Sequence, residues 1–325
     1  MIARPGESSE GTSPAARVVI AVPTFRRTEQ LRELLPELLD QANSIDPPAQ
    51  VVVADNDPDG SARAVVRGCP ESVRYVHEPR PGLAAVRNRL LDESRDFDAL
   101  AFIDDDEKPA AGWLAELVSA WRLYGCAAVS GPVRSVFDNQ PEAWIATTAV
   151  FRRPQHASGT LRTGGASNNL LLDLRWLRQA ELRFDPAYGE SGGEDTKLMH
   201  SIVAAGGEIR WCDTAEVTEL VPPERQTKQW VRQRLIRTSN SWARVEMDIA
   251  ALQGQRARRM LWVGSRGGYL LIRSLAQTLF GLLRRDEKLQ TLGACNRYRS
   301  LGVARAILGS VSAEYRRPPA ATNES

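Results

Sequence analysis

The 325-residue sequence has few cysteines, no apolar leader and no long apolar run. The cysteines are scattered without a C-x-x-C pair, which argues against a zinc site or a disulfide framework and fits a reducing cytoplasm. Residues 1–16 lack the apolar core of a signal peptide and predict a short disordered lead. Residues 260–285 are apolar, but arginines interrupt them, so the longest uncharged run is too short for a spanning helix.

Charge is unevenly distributed along the chain. Residues 1–222 hold 23 Lys and Arg against 33 Asp and Glu, whereas residues 223–325 hold 19 against 7. An acidic body with a basic tail predicts an anionic partner, for which nucleic acid and anionic lipid are the candidates. A solvated helical face is the alternative interpretation. The basic tail lacks the interleaved aromatics of a nucleic-acid stacking platform, so we expect no nucleic-acid partner.

The first half of the chain alternates between strand and helix patterns. Short β-branched runs predict buried strands over 17–25, 49–57, 72–79, 97–107 and 127–136. Apolar residues at helical spacing predict helices between them, over 28–41, 82–94 and 111–124. This alternation indicates an α/β fold with a mainly parallel sheet and helices on both faces, followed by a helical C-terminal extension.

Three predicted strands end in polar residues, at the edge where such sheets bind ligands. Pro23-Thr24-Phe25 ends the first, Asp55 the second, and Asp104-Asp105-Asp106-Glu107 the fourth. Neighbouring carboxylates repel each other unless they share a cation, and oxygen ligands favour Mg²⁺ or Mn²⁺. Such an ion takes further ligands from substrate phosphates, which indicates a nucleoside diphosphate. A solvated acidic turn is the alternative.

A second acidic pair, Glu194-Asp195, follows Gly192-Gly193 and opens a predicted helix over 195–206. The amides and dipole of a helix N-terminus stabilise a carboxylate there. The pair is a candidate general base for removing a proton from a hydroxyl, with simple helix capping as the alternative.

Together these motifs resemble the family 2 glycosyltransferases of the GT-A fold. The matching segments are Pro23-Thr24-Phe25, Asp55, residues 80–91, the D-x-D motif at Asp104–Asp106, residues 163–172 and residues 192–198. The resemblance covers about residues 17–237. It is closest to bacterial enzymes that build cell-surface polysaccharide, similar to succinoglycan glucosyltransferases.

The resemblance implies an inverting transfer from a nucleoside diphosphate sugar, with a UDP-linked donor expected, to a hydroxyl of a glycan or lipid-linked acceptor. The donor-binding roles that it implies fall on Pro23, Thr24 and Phe25 for the nucleoside pocket, Asp55 for the base, Asp105 for the ribose, and Arg87 for the diphosphate or base. Asp106 would hold the metal with support from Asp104, and Asp195, next to Glu194, would be the catalytic base.

Two departures from the family pattern matter. Many relatives carry a histidine after the base helix as a further metal or phosphate ligand, and Glu219 stands near that place here. The third metal ligand is therefore Glu219 or water. Processive synthases carry Q-x-x-R-W, which residues 228–242 lack, so we expect one sugar per encounter.

The C-terminal segment predicts an interfacial helix. At about 100° per residue, one side of residues 259–284 carries arginines and the opposite side leucines and a tyrosine. This pattern favours an anionic membrane surface and a peripheral location at the inner face of the cell membrane. A helix packed on the catalytic domain is the alternative. We therefore expect a disordered lead (1–16), a catalytic domain (17–224), a basic helical extension (225–315) and a disordered tail (316–325).

Two other functions are alternatives to this one. A nucleotidyltransferase usually has a Gly-rich basic loop after its first strand, whereas "PTFRR" lacks glycine. A catalytically silent, membrane-associated scaffold of the same fold would not need the acidic motifs.

Overall fold

The computed structural model describes residues 16–311, and the predicted lead and tail lie almost entirely outside them. The strands are β1 (Val18–Thr24), β2 (Gln50–Asp55), β3 (Val73–His77), β4 (Ala99–Ile103), β5 (Glu107–Pro109), β6 (Ala128–Ser130), β7 (Val133–Val136), β8 (Leu161–Arg162), β9 (Asn169–Asp173), β10 (Ile209–Trp211) and β11 (Val217–Leu220). The helices are α1 (Thr28–Asn43), α2 (Arg63–Arg67), α3 (Leu83–Glu93), α4 (Trp113–Tyr124), α5 (Ala143–Thr148), α6 (Leu174–Gln179), α7 (Glu194–Ala204), α8 (Lys228–Leu252), α9 (Arg256–Arg284) and α10 (Glu287–Ile307).

The central sheet has eight strands in the order β3-β2-β1-β4-β9-β6-β10-β8. Strands β3, β2, β1 and β4 pair in parallel, as do β6 and β10, whereas β9 runs antiparallel to both of its neighbours. A smaller sheet joins β5, β11 and β7. The predicted mixed α/β architecture with a mainly parallel sheet is confirmed.

Side chains of β1 alternate between two apolar cores. Val18, Ile20 and Val22 pack with α1 and α4 on one face, while Val19 and Ala21 pack with α3, α6 and α7 on the other. A strand that is buried on both faces reads as a continuous apolar run, which is why its position was clear from the sequence. With both faces covered, ligands can reach only the strand ends.

One sequence expectation about the sheet was wrong. Residues 127–136 form two strands in different sheets, β6 and β7, because Gly131-Pro132 separates them. Within the motif at residues 163–172, residues 163–168 form a loop, and the remaining residues begin β9 at the middle of the large sheet. Asn169 ties this strand to its surroundings, because its amide donates to the carbonyls of Pro132 and Ala215.

Three long helices, α8, α9 and α10, follow the sheets. Helix α9 meets its neighbours through small residues: Gly267 approaches Val303, Gly281 approaches Gln290, and the Ser274 hydroxyl donates to the Gly293 carbonyl at 2.7 Å. Gly267 and Gly281 therefore serve close packing inside a continuous helix. None of the helices described over residues 16–311 is long and apolar enough to cross a membrane.

Candidate active site

A cavity of about 1330 Å³, here called the main cavity, opens at the carboxyl ends of β1 and β4. Its lining includes all but one of the predicted site residues: Pro23, Thr24, Phe25, Arg87, Asp104, Asp105, Asp106, Glu194, Asp195 and Glu219. The parallel strands β1 and β4 bring their polar ends, Pro23-Thr24-Phe25 and Asp104–Asp106, to the same edge of the sheet. Helix α7 brings the Glu194-Asp195 pair, about 90 residues further along the chain, to the same cavity.

Asp55 is the exception, because it lies beneath the cavity. Its side chain is fully buried, and its two oxygens accept from the amides of Asp57 at 2.9 Å and Ala62 at 2.7 Å. The Tyr75 hydroxyl also donates to it at 3.2 Å. Asp55 thus shapes the loop after β2, and Asn56, rather than Asp55, lines the cavity. Its direct contact with a base stays a prediction, which would require those bonds to rearrange.

Asp105 is held from two sides at the end of β4. The Thr24 hydroxyl donates to one of its oxygens at 2.7 Å, and Arg27 donates to the other at 2.7 Å. Arg27 also pairs with Asp106 at 2.9 Å. Burial raises the pKa of Asp105, and Arg27 opposes that rise. The guanidinium of Arg27 therefore offsets much of the repulsion within the D-x-D motif.

Glu219 and Asp106 share a second arginine. Arg225 donates to Glu219 at 2.6 Å and to Asp106 at 3.3 Å, and Arg153 donates to the other oxygen of Glu219 at 3.2 Å. Both oxygens of Glu219 are thus engaged. Glu219 as a metal ligand stays a prediction that would require release of an arginine.

Arg87 joins the two acidic motifs. It is buried, forms a short hydrogen bond with Glu194, and lies 3.5 Å from an oxygen of Asp104. The arginine therefore ties the end of β4 to the start of α7. The contacts of Arg87 with Glu194 and Asp104 are observed, whereas its binding to the donor diphosphate stays a prediction.

Asp195 lies at the second residue of α7, half-buried against the main cavity. One of its oxygens accepts from the backbone amide of Thr196 at 2.6 Å and from the Thr196 hydroxyl at 3.3 Å. Gly193 precedes the helix with φ 96°, where a Cβ would lie 2.8 Å from that of Ser241. This tight turn aims the helix N-terminus at the cavity.

Burial strongly affects three of the cavity carboxyls. It raises the pKa of Asp104 to about 6 and that of Glu194 to about 7, in both cases against the opposing effect of Arg87. The pKa of Glu107 is raised well above its usual value by burial and by nearby Asp104. Glu107 accepts from Asn168 and from the Asp104 amide, so it supports the loop after β4 from below.

The described part of the chain holds no preformed group of three or more His, Cys, Asp or Glu side chains suited to a metal ion. The carboxylates of Asp104 and Asp106 line the main cavity, with their side chains 32% and 21% exposed. Both offer hard oxygen donors, and Mg²⁺ is commonly bound by one or two carboxylates together with substrate phosphates.

One wall of the cavity was not predicted from the sequence. Helix α8 presents a single face to it, formed by Trp230, Arg234, Arg237, Thr238, Ser241 and Trp242. Phe151 stacks on Trp230 with ring centroids 5.4 Å apart. The spacing of these residues at i, i+4, i+7, i+8, i+11 and i+12 marks one helical face and could have revealed the wall.

Helix α8 is also fastened to the loop that precedes Asp195. The Ser241 hydroxyl donates to the Gly192 carbonyl at 3.0 Å, Arg244 donates to the Ser191 hydroxyl at 2.9 Å, and the Tyr188 hydroxyl donates to Asp248 at 2.6 Å. The aromatic and basic face of α8 therefore lies beside Asp195, whereas Thr24 and Phe25 lie at the end of β1.

Comparison with known proteins bears on this site. Residues 19–180 match the family model described as Glycosyl transferase family 2. Succinoglycan biosynthesis protein ExoM of Rhizobium meliloti (strain 1021) is 38% identical over 257 residues, which cover 77% of this chain and 81% of that protein.

Two solved structures share the GT-A-like fold. S. aureus TarS 1-349 matches with a TM-score of 0.51 at 12% identity, over 90% of this chain and 92% of that one. The same protein in complex with UDP-GlcNAc matches with a TM-score of 0.50 at 13% identity, over the same shares of the two chains. At such identities the likeness concerns the fold alone, whereas the family match and the ExoM alignment concern the sequence itself. This chain belongs to glycosyl transferase family 2.

Proposed function

We propose that the protein transfers one sugar from a nucleoside diphosphate sugar, with inversion, to a hydroxyl of a glycan or lipid-linked acceptor. The observation that carries the proposal is the meeting of the D-x-D carboxylates and Asp195 in one cavity, with Arg87 between them. A UDP-linked sugar is the first donor to test, because the similar fold of TarS has been solved with UDP-GlcNAc.

Pro23, Thr24 and Phe25 form the nucleoside end of the proposed site. Phe25 is 42% exposed in the cavity lining, where its aromatic ring would stack on a base, with the Arg26 guanidinium 5.3 Å from the ring centroid. Asp105, which accepts from Thr24 and Arg27, would also accept hydrogen bonds from a ribose. Asp104 and Asp106 would hold Mg²⁺ or Mn²⁺, which when bound offsets the charge that develops on the leaving diphosphate.

Asp195 is the proposed general base. A sugar hydroxyl is a weak nucleophile until a carboxylate accepts its proton, and general bases of this kind contribute about 10²–10⁴-fold to rate. In the proposed displacement the acceptor oxygen bonds to the anomeric carbon, the bond to the diphosphate oxygen breaks, and the acceptor proton passes to Asp195. Attack opposite the leaving group inverts the anomeric centre.

The α8 wall is the proposed acceptor side. Trp230, Phe151 and Trp242 line the cavity and would supply aromatic surface for sugar rings. Because Ser241 and Arg244 of α8 bond to the loop before Asp195, a glycan lying on this wall would bring a hydroxyl to the base.

A screen of nucleoside diphosphate sugars tests the proposal. Wild-type protein should release nucleoside diphosphate in the presence of Mg²⁺ or Mn²⁺, and excess chelator should abolish that release. Asp106→Ala should lose both donor binding and turnover, because the diphosphate binds largely through the ion.

Asp96→Ala is the matched control, since Asp96 is an exposed carboxylate at the opposite end of β4. It should behave like wild type. Release of nucleoside diphosphate at the full rate in excess chelator would overturn the metal assignment. No donor binding by any nucleotide sugar would overturn the proposed function.

A further inference from the structure

Helix α9 exposes a row of large apolar side chains on one side. This apolar stripe consists of Leu261, Leu271, Ile272, Leu275, Leu279, Leu282 and Leu283, each between 45% and 73% exposed. From Leu261 to Leu283 it runs for about 33 Å at roughly 1.5 Å per residue. Apolar surface of that extent marks a contact with a partner or a membrane.

Intramolecular packing uses a different side of α9. The buried residues of the helix are Val263, Gly267, Ser274 and Gly281, which face α8 and α10. At about 100° per residue they lie roughly 100–145° from the centre of the apolar stripe. The stripe is therefore not the surface that holds the three helices together.

Aromatic and cationic side chains follow the apolar stripe in order around the helix. Trp262, Tyr269 and Phe280 come next and are 43%, 59% and 52% exposed. Arginines then form a row: Arg259, Arg266, Arg273 and Arg284. An apolar face bordered by aromatic rings and then by arginines is the arrangement of helices that lie in a membrane interface.

The surrounding charge favours an anionic surface over a second copy of the chain. Residues 256–311 contain eleven Lys and Arg against two acids, Asp286 and Glu287, a balance of +9. Two such surfaces would repel each other across a shared interface, whereas anionic headgroups attract them by about 1 kcal/mol per close basic residue.

We propose that α9 lies in the plane of an anionic membrane, with the apolar stripe in the acyl region and the arginine row at the headgroups. This attachment is independent of the proposed reaction. Trp242 of α8 lines the main cavity, and its ring centroid lies 5.8 Å from that of Trp262 on α9. If the proposed reaction also holds, the acceptor side of the main cavity therefore lies near the lipid.

Vesicle sedimentation tests the proposal with full-length protein. Vesicles of phosphatidylcholine alone are compared with vesicles that also contain phosphatidylglycerol. Wild type should sediment with the anionic vesicles and much less with the neutral ones. Raising salt from about 0.1 M to about 1 M shortens the screening length from roughly 10 Å to roughly 3 Å and should release most of the protein.

The variant Ile272→Glu/Leu279→Glu should lower the anionic-vesicle partition coefficient at least about tenfold, because each change removes a buried apolar side chain from the membrane. Both positions are exposed, at 70% and 57%, so the fold should be unaffected and circular dichroism should match wild type. Leu123→Glu is the control, since Leu123 is 75% exposed on α4, outside the C-terminal helices. It should bind as wild type does.

Equal sedimentation of wild type with neutral and anionic vesicles would overturn the anionic-surface proposal, and sedimentation with neither would overturn membrane binding altogether. Light scattering without lipid tests whether the apolar stripe instead contacts a second copy of the chain. A wild-type dimer that Ile272→Glu/Leu279→Glu converts to a monomer, together with no vesicle binding, would assign the stripe to a second copy. Unchanged vesicle binding by the double variant would also contradict the proposal.

Discussion

The α/β body and the three C-terminal helices differ in which of their large apolar and charged side chains are buried and which are exposed. In the body, large apolar residues such as Trp113 and Phe102 are buried, and charged residues such as Arg87 and Glu194 are buried beside the main cavity. At the contact between α9 and α10, small residues such as Gly267, Ser274 and Gly293 are buried beside Val263 and Val303, while leucines of α9 face outward.

The difference separates two kinds of surface. Buried charge is unfavourable unless it is paired, and perturbed ionisable groups cluster at functional sites, so their concentration at one cavity indicates chemistry. Exposed apolar surface is likewise unfavourable in water, so its concentration on α9 indicates contact with something less polar. Helix α8 belongs to both regions, because Ser241 and Arg244 bond to the loop before Asp195, while Asn240 bonds to the Gly302 carbonyl of α10 at 3.3 Å.

The largest expected effect concerns the cavity. Asp195→Asn keeps the shape of the side chain but cannot take a proton, so turnover should fall by about two to four orders of magnitude. Donor affinity, measured by calorimetry, should change little. Asp195→Glu retains a carboxylate and should retain more activity than the asparagine variant. A collapse of donor affinity in Asp195→Asn would move Asp195 from the acceptor to the donor side.

The next effect concerns packing among the C-terminal helices. A Cβ at Gly302 would lie 2.2 Å from the Ile236 carbonyl oxygen and 2.9 Å from the Ser239 Cβ. Gly302→Ala should therefore lower the free energy of unfolding by about 1–3 kcal/mol, the usual scale of overpacking. Denaturant unfolding measures it. Unchanged stability would show that α8 and α10 can separate without loss.

A pH-dependent effect concerns the buried charge. Burial raises the pKa of Glu194 from 4.5 to about 7, so between these pH values the folded state holds a proton that the unfolded chain has lost. That stabilisation is fully present below about pH 4.5 and disappears as pH rises through about 7. Over this range wild type should lose about 1–3 kcal/mol of unfolding free energy relative to Glu194→Gln. A pH-independent difference between the two proteins would contradict the assigned environment.

The smallest expected effect is a gain in stability. Gly268 lies within α9, and a Cβ there would meet nothing within 4 Å among the described residues. Gly268→Ala should raise the free energy of unfolding by about 0.5–1 kcal/mol through helix propensity. Comparing Gly268→Ala with Gly302→Ala distinguishes a glycine that is not needed for packing, Gly268, from one that is, Gly302. A loss of stability in Gly268→Ala would place a contact on that side of α9.

Much of the sheet could be predicted because local pattern determines it. The β1 and β4 runs are apolar throughout, since both faces of the sheet are covered, and their polar ends mark the ligand edge. Strand β9 was missed because its apolar run follows a loop motif and pairs with strands far away in sequence. The break at Gly131-Pro132 is local, and its two residues are ordinary turn formers that could have indicated it.

The site was partly predictable for a similar reason. Carboxylates at the ends of predicted strands and helices can be recognised from their position, and Asp106 and Asp195 were selected as candidates in this way. Their arginine partners come from distant segments, so the pairing of Arg27 with Asp105 and of Arg225 with Glu219 carried no local signal. Asp55 illustrates the converse, since its position at the end of β2 suggested ligand contact while the fold engages it in backbone bonds.

The stereochemistry of the released sugar tests the central claim most directly, and it needs no identified acceptor. With water as acceptor and an α-linked nucleoside diphosphate sugar as donor, proton NMR at early times reports which anomer forms first. A single displacement assisted by Asp195 predicts the β-anomer first, at a rate that Asp195→Asn reduces strongly. The α-anomer appearing first would contradict the account.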